Sequence, residues 1–338
     1  MKYQISIITL LLTICTHLFS QRVTRDLVIS IPDTIIHNSL YNKISLIDSR
    51  NDTTFYGIVQ WGLSNRKARV IARIPISLQV KKLLGSVIDS TQKDGELFLN
   101  IRQYSVAEIT DLFSEHGYCM LRAELYAKER NRFKIIELID TVWSNSAIDV
   151  TKDLLKNSGK LLSDFIVSNL AYQSTDTISY SLSEIKNIDS IEKSKILLYT
   201  TSKYNDGLYL SYESFRNQKP DRQILYSKRK DGSFKVLEMI NPYGTYKKIK
   251  GDQSYAMILN GEIFIGTSYG FYPLTKINND FIFNGKANTS ISGGQGFLTT
   301  AFFGIIGGLI ASEIGSESTY EMKLDHLTGS FVHVKKLN

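Results

Sequence analysis

The chain has little cysteine, proline or tryptophan: among 338 residues there are 2 Cys, 5 Pro and 2 Trp. Two cysteines exclude a disulfide-built scaffold. Five prolines and 22 glycines without a fixed period exclude polyproline and collagen-like chains. Charge of one sign is also scarce, since 40 Lys and Arg face 33 Asp and Glu, a net +7. That is a mild basic excess, and no nucleic-acid partner is expected, because the export read from the leader keeps the chain away from nucleic acid. Catalytic motifs are missing too. The sequence has no H-E-x-x-H pair, G-x-S-x-G elbow, Walker A loop or G-x-G-x-x-G fingerprint. Gly293-Gly294-Gln295-Gly296 is not followed by Lys-Ser/Thr, so it does not read as a phosphate cradle. His37, His116, His326 and His333 include no pair four residues apart. Asp325-His326 falls in a strand pattern, where neighbours point to opposite faces, so no cooperating dyad is expected. No catalytic residue, cofactor or metal site is expected from these absences.

What is present begins with the leader MKYQISIITLLLTICTHLFSQ. Lys2 supplies a positive start and Ile5 to Cys15 a short apolar run, the pattern of a secretory signal peptide over residues 1–20. Cleavage after Ser20 would make Gln21 the first residue. Leu12-Thr13-Ile14-Cys15 is a lipobox-like alternative, and an uncleaved anchor is a third. Cleavage would leave Cys119 as the lone cysteine, inside the alternating run Tyr118–Tyr126. Cys119, Leu121, Ala123 and Leu125 share its core face, so Cys119 reads as a small buried hydrophobe.

Hydrophobic residues are 43% and charged residues 22% of the chain, a globular composition, and the length suggests two domains. The fold class expected is α+β. Residues 21–170 would form an antiparallel sheet with two helices. Its strands are Leu27–Ile31, Lys43–Ile47, Phe55–Trp61, Ala68–Arg73, Glu96–Tyr104, Tyr118–Lys128 and Phe133–Val142. Pro75 opens a helix whose buried stripe is Ile76, Val80, Leu83, Leu84 and Val87. Val106–Glu115 reads as a helix or helical turn, and Asp149 caps a second helix over Val150–Leu170. Gly159 inside that helix costs about 1 kcal/mol against Ala and is expected to bend or break it. Residues 171–198 are Ser/Thr-rich and read as an interdomain connection, with Ser181-Leu182-Ser183-Glu184 as a capping box.

Residues 199–338 read as a mostly-β domain, a sandwich or partly closed barrel. Asp231-Gly232, Asn260-Gly261, Asn278-Asn279-Asp280 and Thr328-Gly329 each separate two strand patterns. Ser211–Phe215 reads as one helical turn. An apolar Gly-rich helical insertion interrupts this domain: residues 291–312 carry no charge, and Thr300, Gly304, Gly308 and Ser312 recur every four residues. On a helix they form a small-residue ridge suited to close packing. The segment suits burial in the fold, a membrane surface or self-association through 297–311; a true span would put the last hairpin across a membrane from its sheet.

Two further patterns carry charge. Asp48-Ser49-Arg50-Asn51-Asp52 is the densest polar cluster at a strand end, and its two carboxylates, Asp48 and Asp52, with the Asn51 amide could hold a hard cation. Arg50 opposes a cation, so a structural turn explains the cluster more simply. The basic groups Arg66-Lys67-x-Arg69, Lys128-x-Arg130-x-Arg132, Lys228-Arg229-Lys230 and Lys247-Lys248-x-Lys250 sit at turns or strand ends. They read as solvated loop charge, or as contacts for anionic envelope polymers or lipid headgroups.

Two resemblances accompany these patterns. Ile44-Ser45-Leu46-Ile47-Asp48-Ser49-Arg50, then Gly57, then the helix from Ile76, resembles the opening of YajG-like and ABC-transport auxiliary envelope lipoproteins. The second half is similar to uncharacterised exported proteins of Bacteroidota, through Asp206–Phe215, Thr267–Leu274 and Phe302–Gly308. The resemblances imply export to the periplasm or the outer-membrane surface. The function expected is a non-catalytic envelope interaction or assembly module, with an envelope protein, a membrane surface or a second copy as partner. A hydrolase with a dispersed site, or a small-ligand binder using the β-domain interior, are the alternatives.

Overall fold

Strand patterns dominate the first half of the chain, and that half is built on one large sheet. This computed structural model describes residues 23–62, 66–110, 114–228, 234–239, 246–267, 269–286 and 319–337. The leader 1–20 and the ridge residues Thr300, Gly304, Gly308 and Ser312 lie outside the described residues. The chain divides into two units, Met1–Ser179 and Tyr180–Asn338. The fold is α+β.

The first unit holds β1 (Thr24–Asp26), β2 (Tyr41–Asp48), β3 (Gly57–Trp61), β4 (Arg66–Ile71), β5 (Gly95–Thr110), β6 (Glu115–Glu129) and β7 (Arg132–Ala147). The sheet order is β1-β4-β3-β5-β6-β7, with β2 also on β5. The sheet is mixed, where a wholly antiparallel one was expected. β5-β6-β7 and β3-β4 run antiparallel, while β1-β4, β2-β5 and β3-β5 are parallel. The reason lies in the connection. Helix α1 (Ile76–Val87) returns the chain between β4 and β5, and a crossover of that length lets β5 lie parallel to the earlier β2 and β3.

Val106–Glu115, expected to be helical, instead continues β5 to Thr110 and begins β6 at Glu115. Pairing with β6 runs from Glu96↔Lys128 to Thr110↔Glu115, and this long ladder overrides a short local preference. The β6-β7 turn falls between the strands expected over Tyr118–Lys128 and Phe133–Val142, with Arg130 at φ 57°. Cys119, Leu121, Ala123 and Leu125 are all buried in the core. Burial pushes the Cys119 thiol up to about 12.

Leu27–Ile31 is not the expected strand. Leu27 N still bonds Ile71 O at 2.8 Å, but beyond it a side chain takes the place of a ladder. Gln79 of α1 accepts from Ile29 N at 2.7 Å and donates to Leu27 O at 3.1 Å. Leu27 and Ile29 are nonetheless buried. Helix α2 (Thr151–Val167) packs on the same segment. It does not break at Gly159. That glycine lets the helix approach closely, because a Cβ there would lie 1.9 Å from Val28 O.

The second unit begins with three short helices, α3 (Leu182–Lys186), α4 (Ile188–Lys193) and α5 (Leu197–Thr200). Residues 180–198 are therefore not a plain connection. Ser181 and Glu184 form the expected reciprocal capping box, and Ile196, Leu198 and Tyr199 are core residues of this unit. These helices have five, six and four residues, too short to show an apolar period. After β8 (Gly207–Tyr209), helix α6 (Tyr212–Arg216) fulfils the helical turn read at Ser211–Phe215.

The remaining strands are β9 (Ile224–Lys228), β10 (Phe234–Met239), β11 (Tyr246–Lys248), β12 (Ala256–Leu259), β13 (Glu262–Thr267), β14 (Gly270–Pro273), β15 (Thr275–Ile277), β16 (Asp280–Lys286), β17 (Thr319–Leu324) and β18 (Phe331–Lys336). They form three open sheets, β11-β10-β9, β14-β13-β12-β8 and β15-β16-β17-β18, and none closes into a barrel among the described residues. Asn260 and Gly261 (φ 52° and 78°) and Asn278 and Asn279 (φ 48° and 65°) make the tight hairpin turns. Each pair needs positive φ at both positions, which is why these dipeptides were readable.

Candidate functional site

The predicted polar cluster is a turn. Arg50 donates from Nε to Asp48 Oδ1 and from Nη2 to Asp48 Oδ2, both at 2.8 Å, and from Nη1 to Phe55 O at 2.9 Å. Its guanidinium also stacks 3.9 Å above the Tyr56 ring. Asp52 turns to its own loop, accepting from Thr54 N at 2.8 Å and Thr54 Oγ1 at 2.6 Å. Asp48 and Asp52 are thus engaged separately, Asp48 by Arg50 and Asp52 by Thr54, and the two carboxylates are not brought together as ligands.

A different constellation lies in the second unit. Asp189 and Glu192 are three residues apart on α4, hence on one helical face. His326 follows β17, in a turn rather than in the strand pattern expected at Asp325-His326. Asp325 closes that turn, its Oδ1 accepting from Leu327 N, Thr328 N and Thr328 Oγ1 at 3.0, 2.9 and 3.1 Å. Two phenols hold the turn's carbonyls. Tyr212 donates to His326 O at 2.6 Å and Tyr255 to Gly329 O at 2.5 Å. Gly329 at φ +74° lies against the Tyr212 ring, where a Cβ would approach to 2.0 Å. The imidazole is buried, and its Nε2 lies 2.7 Å from Glu192 Oε2.

One ligand atom each from Asp189, Glu192 and His326 lies within 4.8 Å of the others. Lys193, next in sequence to Glu192, bonds to Asp280 at 2.6 Å, and Lys323 reaches the same carboxylate at 3.2 Å. The Tyr199 ring meets the His326 ring edge-on at 6.3 Å. Its hydroxyl is buried with no hydrogen-bond partner among the described residues. Burial first, then neighbouring groups including Tyr212, Asp280, Asp325 and Asp189, push that phenol far above its usual range. The sequence did not reveal this constellation because Glu192 is 134 residues from His326, in a segment read as a connection. The signal it did carry is the Asp189-x-x-Glu192 spacing.

The first unit holds two other features. Glu108 on β5 is fully buried, and its Oε2 lies 2.6 Å from Thr151 Oγ1, which also lies 3.1 Å from Gln60 O. Burial raises its carboxyl to about 7, against hydrogen bonds from Thr151 and the Gln60 main chain that act to lower it. A protonated Glu108 donates to Thr151, which donates on to Gln60 O. Ionised, Glu108 can only accept the hydrogen bond from Thr151 Oγ1, and that relay is lost. Because the folded value lies above the unfolded one, the stabilisation is complete below about pH 4.5 and lost as pH rises through about 7. The side chain is inaccessible yet only moderately enclosed by protein, so the full shift is discounted for screening. Glu108→Gln is expected to be more stable than wild type at pH 8, by about 1–2 kcal/mol. Its stability should also vary less between pH 4.5 and 8. Urea unfolding across that range checks this, and parallel profiles for the two proteins would refute the relay.

The second feature is strand β7. It has 16 residues and pairs only with β6 among the described residues. Its start is engaged: Ser174 Oγ bonds Ile135 O at 2.5 Å, and Arg132 bonds Ser179. Beyond Asp140 the run Thr141–Ala147 carries no charge. Leu138 and Val142 are exposed at 45% and 40%.

No protein-family model matches the chain, and no curated protein matches it. Among solved structures, a Xanthomonas campestris protein described by family model DUF330 is similar, at 9% identity and a TM-score of 0.27. That match covers 43% of this chain and 91% of the other. The functional reading therefore rests on the residues described above.

Proposed function

We propose that the chain is an exported cell-envelope protein acting as a non-catalytic interaction module, and that it engages a partner by strand addition along β7. The observation that carries this reading is the edge itself. An edge strand presents a row of main-chain donors and acceptors, and proteins ordinarily blunt it with charge, proline, bulges or a covering segment. Glu137 and Asp140 do so for the first part of β7, but Thr141–Ala147 has neither charge nor proline. Seven residues are enough to bind an extended peptide through main-chain hydrogen bonds, with exposed alternate side chains providing selectivity. The apolar leader and the resemblance to exported envelope families support the compartment.

The test is site-specific photo-crosslinking in cells that export the protein, followed by salt and carbonate washes of the envelope fraction. A photo-reactive residue at Ser144 should give discrete adducts, and Val142→Lys should reduce them several-fold. An adduct of twice the chain mass would identify a second copy as the partner. Adducts no stronger than those from Leu78, exposed on α1, would refute the edge as the docking element. A protein found in the cytosol would refute export.

A further inference from the structure

We propose that Asp189, Glu192 and His326 form a binding site for a divalent transition cation of the Zn²⁺ class, which clips α4 to the turn between β17 and β18. The inference is independent of strand addition at β7.

Three considerations carry it. The first is donor chemistry. One imidazole and two carboxylates make a mixed N/O set, which suits Zn²⁺ and its neighbours and suits Mg²⁺ or Ca²⁺ less, since those prefer oxygen throughout. The second is convergence from distant parts of the chain. The carboxylates share one face of α4, the imidazole comes from a turn far along the sequence, and all three ligand atoms lie within 4.8 Å of one another. Ligands about 2.0–2.2 Å from a tetrahedral Zn²⁺ stand roughly 3.3–3.6 Å apart, so modest rotation of the half-exposed Glu192 and exposed Asp189 suffices. The His326 Nε2 and Glu192 Oε2, now 2.7 Å apart, would separate slightly to admit the ion.

The third is preorganisation. His326 cannot drift, because Tyr212 holds its carbonyl and Asp325 closes its turn. The nearby ammonium of Lys193 is drawn to Asp280 instead of lying beside the two carboxylates. Three protein ligands leave a fourth position for water.

The test uses the full chain, stripped with chelator and titrated with Zn²⁺ by calorimetry, with Co²⁺ as the spectroscopic probe. One equivalent is expected to bind, the Co²⁺ form should show visible d–d absorption, and the melting temperature should rise with added Zn²⁺. Asp189→Asn changes an exposed side chain and keeps the His326–Glu192 bond, so the metal-free variant should melt as wild type while its Zn²⁺ affinity falls at least tenfold. Glu192→Gln should lower affinity as much. His37→Gln, which alters the exposed His37–Asp89 pair, should leave binding unchanged. Absence of saturable binding overturns the proposal. So does wild-type affinity in both Asp189→Asn and Glu192→Gln, which would leave His326–Glu192 as a hydrogen-bonded pair that needs no ion.

Discussion

Glu124→Ala is expected to destabilise the first unit by about 3–5 kcal/mol, the range for removing one partner of a buried ion pair. Glu124 on β6 accepts from Arg102 Nη1 at 2.8 Å, and both side chains are almost wholly buried, at 3% and 6% exposure. Its other oxygen accepts from Asn100 Nδ2 at 2.8 Å, and Asn100 Oδ1 accepts in turn from Ser49 Oγ at 2.7 Å. The chain of bonds therefore links β6 and β5 to Ser49, the residue just after β2. Truncating Glu124 strips Arg102 of this carboxylate and Asn100 of an acceptor together. Glu124→Gln keeps an acceptor and most of the volume, so its loss should be smaller. Arg102→Met with Glu124→Leu should recover most of the stability, because neither charge is then buried. Guanidinium unfolding followed by circular dichroism measures all three. A loss below about 1 kcal/mol for Glu124→Ala would mean the pair is effectively solvated.

Gly159→Ala is expected to lower stability by about 2–3 kcal/mol, although alanine is the better helix former. Propensity alone predicts a gain of about 1 kcal/mol. The opposing term is steric. The new Cβ would stand 1.9 Å from Val28 O and 2.9 Å from Val28 C, both main-chain atoms that cannot rotate aside. Val28 itself is held on both sides, because Gln79 bonds the backbone of Leu27 and Ile29. The packing cost should win. Gly85 on α1 is the control, because a Cβ there meets nothing within 4 Å. Gly85→Ala should stabilise by up to about 1 kcal/mol. Urea midpoints that move the same way for both glycines would show that α2 does not depend on close approach at Gly159.

These glycines show what a sequence can and cannot disclose. Gly159 was readable as a weak point in a helix, but its actual role depends on Val28, which is distant in sequence and adjacent only after folding. The buried stripe of α1, the core face around Cys119 and the Asn260-Gly261 hairpin were legible because each depends on a local period or a local φ requirement. The capping box at Ser181 and Glu184 was legible for the same reason. β5 beyond Tyr104 was not, because its conformation is imposed by pairing with β6. The parallel placement of β2 on β5 depends on a crossover, which leaves no mark at either strand. Among candidate site residues, Asp48, Arg50 and Asp52 were visible as a cluster, and their resolution into an Arg50–Asp48 pair and an Asp52 turn follows from hydrogen-bond geometry. His326 was noticed, but its partner could not be named until α4 was placed beside its turn.

The sheet also determines what an oxidising environment can do to this molecule. Cys119 sits on β6 with no accessible surface, and burial pushes its thiol up to about 12. At neutral pH the thiolate fraction is on the order of one in 10⁵, and disulfide exchange needs the thiolate. The folded chain is therefore redox-silent at this position, neither forming a bridge between copies through it nor requiring an oxidant to hold its shape. The same burial makes the thiol a clock. A thiol reagent can reach it only when the core packed over this face opens, including α2, whose Ser158 hydrogen-bonds the thiol, so the rate of labelling counts the openings of that core.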